Sequence, residues 1–280
     1  MATDAPTDPV RYSSAMSDID LHVVRMGTGR PPPVLVHGFT GSSLDWFEAM
    51  RRLAEHREVV AFDHRGHGDS PNTGDAATYT IEQLRADFEQ LVEDQGLDSF
   101  HLLGHSMGGV VVRLYVLAHP ERVLSLVLMD TMASPSLKFP MDLIDKLTAI
   151  AREQGMQALI PKMIEGARSM AVVPPRDVIL TNQATKLGSM DPEAYGALAH
   201  SLAEFESMLD RLNEVSCPTT VLVGELDQPF REPSVAMSDA IPGSRLVVIT
   251  DAGHCPQEDQ LKVWLDEADR HLAWASTAAS

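Results

Sequence analysis

Short β-rich runs alternate with stretches of helical periodicity through most of this chain, and that alternation admits few architectures. A strand, a crossing helix and a further strand leave successive strands parallel with helices over both faces. The expected fold class is therefore α/β with a mostly parallel sheet. Residues 10–16 and 19–26 read as an opening hairpin turning near Ser17 and Asp18, and residues 33–37 begin the buried strands. Leu44, Phe47, Met50 and Leu53 recur at close to a helical turn, ahead of a strand over 58–63. Thr80 and Gln83 form a capping-box pattern, opening a helix that puts Ile81, Leu84, Phe88 and Leu91 on one face and ends at Gly96. A strand over 100–104, a helix over 109–119 and a near-continuous apolar strand over 123–129 follow. The alternation stops from 131 to 215, where helical patterns are punctuated by Pro140, Gly155, Pro161, Pro174, Pro175 and Gly188. That stretch reads as a helical cap inserted into a core of residues 1–130 and 216–280. Strands over 219–224 and 245–250 resume the sheet, with helices over 233–241 and 257–274, and the last five residues read as a frayed tail.

At 280 residues and 44% hydrophobic composition, one domain with an insertion can bury a sizeable core. Lys and Arg number 22 against 40 Asp and Glu, a formal charge of −18 that would repel phosphate backbones and anionic lipid. Nucleic-acid and membrane partners are not expected. No apolar run follows a basic stretch at the N-terminus, which carries Asp4 and Asp8, so a cytoplasmic protein is expected. Two cysteines, Cys217 and Cys255, are too few for a disulfide framework. The sequence does not decide between monomer and homo-oligomer.

Gly104-His105-Ser106-Met107-Gly108 joins a predicted strand directly to a predicted helix. A serine at so sharp a turn takes a strained backbone, and its neighbours two positions away must be small where strand and helix approach. The strain exposes Ser106 Oγ at the carboxyl end of the sheet, beside a helix N-terminus that favours developing negative charge. Acyl transfer also needs preorganised donors for the oxygen that becomes negative. His37-Gly38-Phe39-Thr40, at the exit of the first buried strand, supplies a turn for this. The backbone N–H groups of Phe39 and Met107 are the expected donors, with His37, Gly38 and His105 at the substrate pocket.

Serine is a poor nucleophile at its free pKa, so a histidine must take its proton and a carboxylate must hold that histidine's tautomer. Asp227 follows the strand ending at Gly224, and His254 follows the strand ending at Thr250, which gives the chain order Ser, Asp, His. Asp130, just after the apolar strand ending at Met129, is the alternative acid. His64 and His67 are spaced like a metal pair but lie in a glycine-bearing loop without other nearby ligands, so a structural turn is expected there. Neither a metal nor an organic cofactor is expected, because no dinucleotide or phosphate-binding glycine loop is visible.

Taken together, His37-Gly38, the Asp63 to Ser70 loop matching D-x-R-G-x-G-x-S, the 104–108 elbow with Gly109, the Asp227 loop and Gly253-His254-Cys255-Pro256 resemble the α/β-hydrolase superfamily. The likeness is to its small bacterial esterases, enol-lactonases and cofactor-free perhydrolases, and it covers nearly the whole chain apart from the cap. It implies a mostly parallel eight-stranded sheet flanked by helices, with the cap after the sixth strand. It also implies Ser106 as nucleophile, Asp227 as acid, His254 as base, and Phe39 and Met107 as oxyanion donors. Relatives that open epoxides or carbon–halogen bonds use aspartate at the elbow, so Ser106 argues against those chemistries.

Seven of the 14 methionines lie between 132 and 208, interleaved with Leu, Ile and Val. Most are expected to pack cap helices on the sheet, and the rest to line an adaptable apolar pocket. The expected activity is hydrolysis of a carboxylic ester or lactone with a small to medium, largely apolar substrate. A carbon–carbon bond hydrolase or a perhydrolase on the same triad is the alternative, and a slow-turnover ligand receptor is the non-enzymatic one.

Overall fold

Seven strands are present among the residues that the computed structural model describes, namely 19–135, 140–170 and 177–278. They are β1 (Val23–Met26), β2 (Pro33–Val36), β3 (Val59–Phe62), β4 (Phe100–His105), β5 (Val123–Met129), β6 (Thr219–Gly224) and β7 (Arg245–Ile249), in the order β1-β3-β2-β4-β5-β6-β7. β1 pairs antiparallel with β3, and every other pairing is parallel. The eighth strand of the expected sheet, over residues 10–16, lies outside the described residues.

β2, β3 and β6 are buried along their whole length, which is why they read as unbroken apolar runs. Their side chains still alternate between faces. Val34, Val36, Val60 and Phe62 point into one core layer, whereas Leu35, Val59 and Ala61 enter the other. The first layer includes α2 (Ile81–Asp94) and α3 (Met107–Ala118), and the second joins α1 (Phe47–Leu53) to a C-terminal helix through Met50, Trp46 and Trp264. β7, at the sheet edge, instead alternates between covered and exposed residues.

Thr80 Oγ1 accepts from the Gln83 backbone N–H at 3.1 Å and caps α2 as the sequence indicates, but the Gln83 side chain donates to Asp87 rather than back to the cap. Helices α4 (Met141–Gln154), α5 (Ile160–Met170), α6 (Asp177–Ser189) and α7 (Pro192–Glu204) fill the sequence between β5 and β6, and no strand occurs there among the described residues. Asp191, the cap of α7, ties this stretch to the loop after β3, accepting from Gly74 N–H and the Tyr79 hydroxyl at 2.8 and 2.6 Å. α8 (Gln228–Ala240) begins five residues earlier than the expected 233 and contains Pro233. That proline forgoes a single backbone bond in an otherwise continuous helix. The expected C-terminal helix is divided at Gln260 into α9 (Pro256–Asp259) and α10 (Leu261–Ala278). Among the described residues, no helix is long and apolar enough to cross a membrane.

Phe88 of α2 is fully buried and lies between the rings of Phe62 and Tyr115, at centroid distances of 5.6 and 4.8 Å. Its loss would leave a cavity between sheet and helices that neighbouring aromatics cannot fill. Phe88→Ala is expected to lower unfolding free energy by about 3–5 kcal/mol, measured by denaturant melts.

Candidate active site

Ser106 stands between β4 and α3 at φ 52° and ψ −118°, a left-handed conformation rarely taken by a residue with a side chain. Such strain costs on the order of 1–3 kcal/mol and persists only where surroundings hold it. Here the Ser106 N–H donates to Met129 O at 3.0 Å, and Ser106 O accepts from Thr131 Oγ1 at 2.6 Å and from Gly109 N–H at 3.0 Å. The flanking glycines have no room for a side chain. A Cβ on Gly104 would lie 2.6 Å from Gly108 O, and one on Gly108 would lie 2.4 Å from Val36 O.

His254 Nε2 is 3.0 Å from Ser106 Oγ, and His254 Nδ1 is 2.7 Å from Asp227 Oδ2. Nδ1–H donates to the Asp227 carboxyl group, which leaves Nε2 to accept from the Ser106 hydroxyl. The two loops come from adjacent strand ends and are bonded together, Leu226 N–H donating to Ala252 O at 2.8 Å and Glu225 N–H to Ile249 O at 2.9 Å. Phe230 of α8 lies over the imidazole at 4.6 Å, and His105 Nε2–H donates to His254 O at 2.7 Å.

Asp130, the alternative acid, is fully buried, and its Oδ1 accepts from Gly224 N–H at 2.9 Å. It is near the pair without replacing Asp227 at the imidazole. Met107 opens α3, so its N–H is among the donors that a helix start leaves without an intrahelical partner. Gly38 brings the Phe39 loop against Ser106, because a Cβ there would lie 2.9 Å from Ser106 Cβ. His37 departs from its expected place. It is fully buried behind the loop, with Nδ1–H donating to Gly38 O and Nε2 accepting from His64 N–H, both at 2.9 Å, and does not line the cavity. Its imidazole is consumed in shaping the turn.

The Asp63 to Ser70 loop is likewise an internal network. Asp63 accepts from Ser43 and Asp69 N–H at 2.6 and 2.9 Å, and Arg65 forms a bidentate pair with Asp87. His22, Asp63 and Asp69 place three possible ligand atoms within 4.8 Å of one another, but His22 Nδ1 is already bonded to Asp63 at 2.9 Å. His64 and His67 are buried beside His37, with burial pushing the His67 imidazole down to about 3.

A cavity of about 300 Å³ opens on Ser106 and His254. Phe39, Met163 and Leu187 supply apolar wall, and His105 belongs to it as expected. Opposite in character are Asp45, Gln183 and Lys186, which belong to none of the sequence motifs. Lys186, on α6, is buried and donates to Asp45 while lying 3.5 Å from Glu258 Oε1. Burial opposes the ammonium, yet Asp45 and then Glu258 outweigh it and raise the lysine. Burial also opposes charge on Asp45, but Lys186 holds its carboxyl below the ordinary range. Burial pushes the nearby Cys255 thiol well up, so it stands as a neutral wall group.

A family model described as alpha/beta hydrolase fold matches residues 31–261. This chain belongs to the α/β-hydrolase family. That makes it a hydrolase by family. Among solved structures it is similar to a thermophilic esterase from Thermogutta terrifontis, with 30% identity and a TM-score of 0.79 over 92% of this chain and 94% of that one. It is also similar in fold to the enol-lactonase from Burkholderia xenovorans LB400, at 22% identity and a TM-score of 0.77 over 92% and 98% of the two chains. A proline iminopeptidase of Lactobacillus delbrueckii subsp. bulgaricus is 29% identical, over 88% of this chain and 94% of that protein.

Burial raises the Glu258 carboxyl to about 7, with Lys186 pulling it down and Asp45 pushing it up. A folded-state value above that of an unfolded glutamate means stability held at low pH and lost as pH rises through about 7. Melting temperature between about pH 5 and about pH 8 is thus expected to fall less in Glu258→Gln than in the wild type, by roughly 5 °C, measured by scanning fluorimetry.

Proposed function

We propose that this hydrolase cleaves a carboxylic ester or lactone of small to medium size through a covalent acyl-enzyme on Ser106. The observation that carries the reading is the unbroken relay from Ser106 Oγ through His254 to Asp227, at 3.0 and 2.7 Å. Ser106 Oγ attacks the acyl carbon while its proton passes to His254 Nε2. Asp227 steadies the imidazolium, and the Phe39 and Met107 N–H groups face the oxygen that becomes negative. The imidazolium protonates the departing alkoxide. A water molecule then loses its proton to the same imidazole, attacks the acyl carbon and releases the acid, returning the serine.

Cavity size and lining support the substrate class. About 300 Å³ holds a small or medium molecule, with an apolar portion against Phe39, Met163 and Leu187. We read the helical stretch between β5 and β6 as the cap over this site, since α5 and α6 contribute Met163, Gln183, Lys186 and Leu187 to the wall. An amino-terminal peptide would need a wall carboxylate for its ammonium, and Asp45 is already engaged by Lys186. Ester chemistry therefore fits the wall better than the peptide chemistry in the iminopeptidase's name.

With a nitrophenyl butyrate substrate, Ser106→Ala is expected to lose at least about 10⁴-fold in kcat. A fluorophosphonate should label Ser106, read by peptide mass. Wild-type rate in Ser106→Ala, or labelling elsewhere, contradicts the mechanism. A prolyl arylamide is expected to turn over at least about 100-fold more slowly than the ester, and the reverse preference would favour the peptidase reading.

A further inference from the structure

One buried carboxyl beside the relay has no place in the mechanism above. Asp130 follows β5, is fully buried and takes φ 44°, a strained value for a residue with a side chain. Its backbone N–H donates to Leu222 O at 2.9 Å and its Oδ1 accepts from Gly224 N–H at 2.9 Å, so both ends are fixed between β5 and β6. Its Oδ2 is buried without a hydrogen-bond partner. Leaving such an atom unpaired is costly, and the neighbouring chemistry offers it one use. A carboxyl oxygen of Asp130, a carboxylate oxygen of Asp227 and a ring nitrogen of His254 all lie within 4.8 Å of one another.

Two buried carboxyl groups this close do not both ionise, and one must retain a proton. Asp227 Oδ2 is bonded to His254 Nδ1 at 2.7 Å, so the charge belongs on Asp227 and the proton on Asp130. We propose that Asp130 is a positioning residue for the hydrolase reaction: its neutral carboxyl donates to Asp227, fixing the acid's orientation and moderating its pull on the imidazole. Burial first, then contact with Asp227 and its charge, also push the Asp130 carboxyl well above the ordinary range. Other titratable groups face the same cluster. Asp259 adds negative charge near Asp130, His105 is held neutral by burial, the Cys255 thiol is neutral, and Lys186 is committed to Asp45 and Glu258.

The proposal rests on the serine-hydrolase reading, and its test separates the two. Fluorophosphonate labelling of wild-type protein first establishes whether Ser106 is the nucleophile. Then kcat and kcat/KM are measured against pH for wild type, Asp130→Asn and Asp130→Leu with the nitrophenyl ester. The acid limb of kcat/KM reports loss of the neutral imidazole. A neutral donor replaced by a neutral donor should leave that limb in place, with kcat within about threefold in Asp130→Asn. Removing the donor in Asp130→Leu should make Asp227 hold the imidazolium more strongly, moving the limb up by several tenths of a pH unit and lowering kcat about tenfold. A limb moving down in Asp130→Asn would mean that Asp130 carried charge, and an unchanged profile in Asp130→Leu would mean that it only fills space. Either result overturns the proposal. Should Asp130→Leu not fold, infrared difference spectra of wild type minus Asp130→Asn decide independently of activity. A carboxylic-acid C=O band at neutral pH supports the proposal, and a carboxylate pair in its place overturns it.

Discussion

Ser106 is held at a positive φ by hydrogen bonds from its own backbone to β5, to the Thr131 hydroxyl beyond it and to the first turn of α3, and the rest of the site is arranged around that constraint. Its N–H reaches β5 through Met129, while its carbonyl is gripped by Thr131 beyond β5 and by the first turn of α3. The sheet must therefore be in register before the serine can adopt its conformation, since β4 and β5 pair Gly104 with Leu128 and His105 with Met129. Folding energy thereby holds the half-buried hydroxyl of Ser106 at a helix start, where negative charge is favoured.

The same economy of parallel strands sets Asp227 beside His254. β6 and β7 are neighbours, so loops leaving their carboxyl ends emerge side by side although Asp227 and His254 are 27 positions apart in the chain. Backbone bonds from Leu226 to Ala252 and from Glu225 to Ile249 then make the two loops one rigid unit. His105 adds a third point of attachment by donating to the carbonyl of His254. Motion of that ring is limited on its other side by Phe230. Such support keeps donor and acceptor near bonding distance before any substrate arrives, which is where much of the advantage of a preorganised site lies.

What could be read from the sequence follows this division between local and distant constraints. The elbow, Asp227 and His254 sit at strand ends, and strand ends are visible as the places where apolar runs stop. β5 runs from Val123 to Met129 as expected because both of its faces are covered. By contrast, Lys186 meets Asp45 across 141 residues and Glu258 across 72, and no periodicity links positions so far apart. His37 was legible as a member of a turn but not as a fully buried one, since burial depended on His64 and His67 folding over it. The start of α8 was hidden by Pro233, whose helix-breaking tendency is local while the packing of Phe230 and Met237 that overrides it is not.

The Lys186 cluster also changes what the helical stretch contributes. Apolar contacts alone would let α5 and α6 slide over the sheet at little cost, because such contacts have no direction. A buried ammonium shared between Asp45, in the cavity wall, and Glu258, just beyond His254 in sequence, permits far fewer placements. Breaking it would leave a buried charge without its partner, so the helices are held where Met163 and Leu187 line the same cavity as Ser106. Position of the apolar wall is thus set by a polar contact.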